Sequence, residues 1–296
     1  MLKTEIKNYL HLHFIVFIWG FTAILGALIS INAIPLVWYR MLFAVIFVLI
    51  YFLLKNKNLK ITPKAIIKFF ISGTIIALHW IAFFTAIKVS NVSVALVAMS
   101  TGALFTSLIE PLFFRRKLIF LELLFGLIVI SGLYLIFNVE TEYTLGIIYA
   151  LIASFLSALF TVLNGLFIKQ HNAETISFYQ LLFGVVFITI YIFATTGFTI
   201  KDFSLNKTDI IYLFILSSIC TAYAFTASVK IMKYLTPYTV MLTINLEPVY
   251  GIILAVLIFG EKEKMSPQFY IGALIILFTV VINGILKNKN RQKLTS

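Results

Sequence analysis

The residues able to do chemistry in this chain are few, and they sit in apolar surroundings. Glu247-Pro248 interrupts the apolar run that begins at Pro237. At 1.5 Å per helical residue, Glu247 stands about 15 Å in from Pro237, near the middle of a bilayer's hydrocarbon core. Pro248 has no N–H for the carbonyl of Ile244, so a helix kinks there. An acid beside freed carbonyls at that depth suits an amine, a cation or a proton. The alternative is a protonated structural Glu bonded to a neighbouring helix. His79, beside Trp80, lies at similar depth in its own apolar run and is of a type that changes charge near neutral pH; a packing role is its alternative. Glu247 and His79 are therefore the candidates for proton coupling. Arg40 lies one to two turns inside its run. It can hold a carboxylate through two parallel hydrogen bonds or extend its long stem to the outer surface. Ionisable groups inside a bilayer cost several kcal/mol on insertion scales, so each requires a reason to be there.

Polar and aromatic side chains fill in around these three. Asn164, Thr221, Thr226, Thr243 and Asn245 either line a cavity or join helices by bonds averaging about 0.6 kcal/mol. Trp80, Tyr223 and Tyr250 lie deep enough to wall a substrate, whereas other Trp and Tyr residues suit the membrane interface. The expected substrate-binding set is Glu247, Arg40, His79, Trp80, Tyr223, Asn245, Tyr250 and Asn164. Glu110 is expected to pair with Arg115–Lys117 at the inner surface, where His11 and His13 also lie.

Absences narrow the function. Cys220 is the single cysteine, which excludes an internal disulfide and a cysteine-based metal site. The sequence contains no His-Glu-x-x-His, Gly-x-Ser-x-Gly, phosphate loop or dinucleotide fingerprint. No cofactor, metal or catalytic residue is expected, and any pumping would draw on ion or substrate gradients rather than ATP.

The elements that must position these residues are transmembrane helices. The 296 residues are 61% hydrophobic and 11% charged, against roughly 25% charged in a soluble domain. Ten spans are expected, near 11–30, 36–54, 66–87, 91–113, 119–138, 146–168, 176–196, 209–229, 237–259 and 268–286. They must be helices, because lipid offers no partners to free backbone groups. The net charge of +12 does not indicate nucleic acid. With the N-terminus inside, the inner segments hold 17 of the 23 Lys and Arg, including Lys55, Lys57, Lys60, Lys64, Lys68, Arg115, Arg116 and Lys117. The outer loops hold five, and Arg40 lies within a span. That bias places both termini in the cytoplasm, and a bacterial-type inner membrane is the expected location. The basic tail Lys287–Lys293 suits anionic lipid headgroups or a plain anchor.

The spans also repeat. Tyr39–Tyr51 recurs as Tyr179–Tyr191 with seven of 13 positions identical, Arg40 being matched by Gln180. Phe21-Thr22 and Gly26 recur as Phe160-Thr161 and Gly165; Ala82-Phe83 and Lys88 recur as Ala224-Phe225 and Lys230. Five spans per copy is an odd number, so the second copy enters the membrane inverted, a device of secondary transporters. The expected fold is an all-α membrane protein of ten transmembrane helices, two inverted five-helix repeats (1–140 and 141–296) around a central cavity.

Leu246-Glu247-Pro248-Val249-Tyr250, followed by Gly260-Glu261-Lys262, resembles the ninth-helix pattern of EamA-type members of the drug/metabolite transporter superfamily. Trp19-Gly20-Phe21 is similar to their first helix, and Pro35 with Arg40 to their second. The first half departs from the pattern: Arg115-Arg116-Lys117 replaces the expected Gly-Glu, and register places Gly102-Ala103, not Glu110-Pro111, opposite Glu247-Pro248. The resemblance implies a central cavity and export of small metabolites such as amino acids. The expected function is alternating-access transport of small amphipathic solutes, with proton coupling an open option. A flippase for lipids or lipid-linked substrates on the same fold is the alternative, and an intramembrane enzyme or receptor a more distant one.

Overall fold

The computed structural model describes residues 2–56, 59–115, 117–118, 120–195 and 197–293. Lys57 and Arg116, two of the cations counted on the inner side, lie outside the described residues. The described chain is helical throughout, with no strand. The helices are α1 (Leu2–Leu28), α2 (Ala33–Leu54), α3 (Pro63–Val89), α4 (Val92–Met99), α5 (Gly102–Phe114), α6 (Phe120–Val139) and α7 (Thr144–Phe167). The second half continues with α8 (Ala173–Ala194), α9 (Ile200–Phe203), α10 (Lys207–Ser217), α11 (Ala224–Ile231), α12 (Pro237–Ile244), α13 (Glu247–Phe259) and α14 (Pro267–Lys293).

Eight described segments are long and apolar enough to cross a membrane. Three of them are compound: α4 with α5, α10 with α11, and α12 with α13. The spans expected at 119–138 and 268–286 fall on α6 and α14, which carry the shorter apolar stretches Leu124–Val139 and Pro267–Thr279. These two helices pack on each other at Gly132 and Gly272, where a Cβ on either glycine would meet the other's carbonyl oxygen at 3.0 or 2.8 Å. Gly73 of α3 crosses Gly184 of α8 in the same close manner: an added Cβ on Gly73 would stand 2.4 Å from the Gln180 carbonyl oxygen. Helices in lipid gain little from apolar burial as such, so small residues that let backbones approach hold them together.

The interruptions are the informative part of the fold. The expected kink at Pro248 is a full break, with Asn245 and Leu246 between α12 and α13. A second break, at Ser100-Thr101 between α4 and α5, lies opposite it in the repeat register, so that Gly102 and Glu247 each open the second half-helix. Local hydroxyls help form it: Ser100 Oγ and Thr101 Oγ1 donate to the carbonyls of Leu96 and Ala98, competing with the helical ladder. The two breaks touch, Asn245 Nδ2 donating to the Ser100 carbonyl at 2.7 Å. Pro111 leaves α5 continuous to Phe114, so the Glu110-Pro111 pair is not a copy of the break at Glu247-Pro248. A third interruption was not expected. Ser218–Tyr223 forms a π-helical turn between α10 and α11, a feature often found where side chains are re-aimed at a functional site.

Candidate functional site

A cavity of about 70 Å³ lies among α1, α2, α3, α7 and α11, with Met99 at the end of α4 and Ile244 and Glu247 flanking the α12–α13 break on its wall, several times the minimum for one water molecule. Of the expected residues, Arg40, His79, Trp80, Asn164 and Glu247 line it. Three do not. Tyr223 points away, 44% exposed, with its hydroxyl 2.9 Å from His11 Nε2. Tyr250 packs its edge on Phe17 and lies against Gly20. Asn245 spends its amide on the bond between the two breaks.

Arg40 does not reach the outer surface. It is 1% exposed, its guanidinium carbon 4.1 Å from the centroid of the Trp80 ring and 5.4 Å from that of Phe84, a desolvated cation–π contact. Nε donates to Thr221 Oγ1 at 2.7 Å, and Thr221 Oγ1 donates in turn to the Leu216 carbonyl, five residues back, at 2.7 Å. The π turn thus presents the Thr221 oxygen as an acceptor for Arg40. Trp19 Nε1 donates at 3.0 Å to the carbonyl of Cys220 in the same turn. With Nε held and the ring plane stacked, Nη1 is left buried without a protein partner.

Other groups on the wall share that condition. Thr22 Oγ1 and Asn164 Nδ2 are buried without protein partners. Glu247, half-buried at the head of α13, lines the same cavity, and no ion pair or hydrogen bond of Glu247 to Arg40 is formed. His79 Nδ1 lies 2.7 Å from the Ala153 carbonyl. A carbonyl only accepts, so Nδ1 carries the hydrogen and Nε2 is the free nitrogen. Trp19, Phe83, Phe160 and Phe225 complete the apolar wall with Trp80. The arrangement pairs a fixed cationic donor with an acid across an aromatic-lined space, which suits a small solute carrying both a carboxylate and an amine.

The counterpart of Arg40 is occupied differently. Gln180 Nε2 donates to Ser72 Oγ and to Asn164 Oδ1, each at 2.6 Å, so this amide joins α8, α3 and α7 instead of facing the cavity. Glu110 is buried, and its carboxylate accepts the Tyr238 N–H at the start of α12 at 2.9 Å, while Arg116, one of the cations expected to pair with it, lies outside the described residues.

Sequence reasoning did not select Thr22, Thr161, Phe83 and Phe225 as lining residues, although all four border the cavity. The signal was there, because Thr22 pairs with Thr161 and Phe83 with Phe225 in the internal repeat.

A solved crystal structure of a protein superposes on 94% of this chain and 96% of its own with a TM-score of 0.68 at 14% identity, a likeness of fold alone. An uncharacterized transporter of Clostridium kluyveri is 22% identical over 241 residues, 78% of this chain and 76% of the relative. The EamA-like transporter model matches twice, over residues 8–138 and 144–285, and this multi-pass membrane protein belongs to the EamA-like transporter family.

Proposed function

We propose that the chain is a secondary or facilitative carrier that exports small amphipathic metabolites, amino acids foremost, through the cavity at the two helix breaks. In this reading the two family-matching segments are inverted five-helix repeats, both termini are cytoplasmic in a bacterial inner membrane, and the repeats rock about the paired breaks to expose the cavity to alternate sides. The observation that carries the proposal is the buried Arg40, clamped by Thr221 and Trp80 with Nη1 unpaired on a wall that Glu247 shares. Leaving buried donors unsatisfied costs about 1–3 kcal/mol each, so a guest carboxylate on Nη1 recovers free energy that the protein alone does not. The guest's ammonium meets Glu247, and the aromatic wall takes its apolar part. Thr221 is a positioning residue here, since it acts on substrate only by aiming Arg40.

Proton coupling would run through Glu247, with His79 Nε2 as the second proton-accepting group of the cavity. A transport pH profile that survives His79→Ala unchanged would remove His79 from that path.

The test is solute counterflow in proteoliposomes with labelled amino acids, their decarboxylated amines and a zwitterionic lipid analogue, beside empty liposomes. Saturable amino-acid exchange that weakens in Glu247→Gln supports the proposal. Exchange of the lipid analogue alone by folded protein would replace it with a flippase.

A further inference from the structure

We propose that the end of the bundle where α1 and α3 finish is a gate, held shut in this structure by a latch of three buried carboxylates. Asp209, 1% exposed at the start of α10, accepts the backbone N–H and the hydroxyl of Ser30 at 2.8 and 2.7 Å. Glu263, 4% exposed in the turn after α13, accepts the N–H groups of Val92 and Ser93 at 2.9 and 2.8 Å. That is the N-terminus of α4, where the helix dipole favours negative charge. Glu140, 7% exposed after α6, accepts the N–H and hydroxyl of Ser266 at 3.2 and 2.7 Å. Each carboxylate crosses from one half of the chain to the other.

All three lie at one end of the molecule. Lys88, in the last turn of α3, donates to the Ile29 carbonyl beyond α1, which fixes those two helix ends side by side. Asn91 Nδ2 reaches Met265 Sδ at 3.2 Å, tying the turn after α3 to the segment before α14. The central cavity points the other way, reaching Met232 at the finish of α11, and none of the latch residues lines it. Beside the latch is a second cavity of about 360 Å³, bordered by Asn32, Thr85, Lys88, Tyr191, Asp202 and Phe203. Phe83 borders the first cavity and Thr85 the second, two residues or about 3 Å apart along the α3 axis. Lys88, which ties the end of α3 to that of α1, borders this second cavity, so the latch joins the two halves at its level.

The chemistry suits a reversible closure. Hydrogen bonds to a carboxylate are roughly twice as strong as neutral ones, yet the net gain of each is small because water replaces the protein donors on opening. Three such clamps close together, and rupture of one loosens the next. The proposal concerns access, not substrate, so its test requires no transported solute.

The experiment uses the full chain in membrane vesicles with Cys220→Ser and a cavity-wall reporter, Ser157→Cys. A charged, membrane-impermeant thiosulfonate is applied to right-side-out and inside-out vesicles in turn. Lys201→Cys, on exposed α9, marks the side on which the latch lies. The expected result is slow labelling of the reporter from the latch side in the parent protein. Glu263→Gln, which keeps one acceptor oxygen, accelerates it at least fivefold from that side only. Ser30→Ala, which removes a hydroxyl donor and leaves the capping of α10 intact, accelerates it about twofold. Rates unchanged in both variants, in protein that elutes as a folded species, would overturn the latch, as would fast latch-side labelling of the parent. Failure of amino-acid exchange in the counterflow test would leave this result standing, so the two readings fail separately.

Discussion

The two broken helices share a backbone design and differ in chemistry. Both begin on a side-chain cap, Asn91 for α4 and Thr236 for α12, both stop after eight residues, and both resume after a two-residue break. At the head of the second half-helix one has Glu247 and the other Gly102. Gly102 is buried, its Cα side packed against the Met241 methyl and Ser154 Oγ. The same division separates Arg40, which lines the cavity and has Nη1 buried without a protein partner, from Gln180, whose amide donors are used in holding three helices. The two broken helices thus share a backbone design while Arg40 and Glu247 line the cavity and Gln180 and Gly102 do not.

The largest effect is expected at Glu247. Glu247→Gln removes the proposed ammonium partner while keeping size and one acceptor, and amino-acid counterflow should fall at least tenfold with protein yield unchanged. Equal rates for variant and parent would reduce Glu247 to a structural acid and erase the contrast with Gly102.

Next come Arg40 and its clamp. Arg40→Lys keeps charge but loses the planar fork that engages a carboxylate and stacks on Trp80, so apparent affinity for alanine should drop about tenfold while that for ethylamine holds. Thr221→Val should shift the alanine-to-ethylamine preference about threefold in the same direction, and Thr221→Ser should restore it. Gln180→Ala should leave the preference alone and lower thermal stability instead. A preference that moves as much in Gln180→Ala as in Thr221→Val would mean that both positions act through general packing.

The contact between the breaks is expected to matter for stability more than for selectivity. Asn245→Ala leaves the Ser100 carbonyl without its donor at a buried crossing, a loss of about 1–3 kcal/mol. A lowered melting temperature with unchanged alanine-to-ethylamine preference is the expected pair of readings.

Depth along a helix was legible in this sequence, and rotation about it was not. Glu247, Arg40 and His79 stand out because charge is rare in an apolar run, and Pro248 marks its own break. Tyr223 and Tyr250 lie at useful depths too, yet Tyr223 faces outward and Tyr250 packs on α1. In water an amphipathic stripe reveals the inward face of a helix. Lipid is as apolar as a protein core, so the stripe fades and the faces of Tyr223 and Trp80 read alike. The break at Ser100-Thr101 carries no proline, and the π turn at Ser218–Tyr223 contains residues that fit an ordinary helix, so neither announced itself. Thr22 and Phe83 were recoverable from their repeat partners Thr161 and Phe225, because two halves that build one cavity retain its wall in both copies.

The smallest effect is expected at Gly102, and it sharpens the comparison most. A Cβ there would come within 2.5 Å of the Met241 methyl, the far end of a flexible side chain that can rotate aside. Gly102→Ala should therefore cost less than about 1 kcal/mol, because the alanine also favours the helix it opens. At Gly73 the same methyl would meet a backbone carbonyl oxygen at 2.4 Å, which cannot move without separating α3 from α8, so Gly73→Ala should be several-fold more damaging to the melting temperature. If Gly102→Ala proved as damaging as Gly73→Ala, the first break would be a tight packing point rather than a neutral copy of the second. The absence of an acid at Gly102 would then follow from space alone, not from the chemistry of the guest.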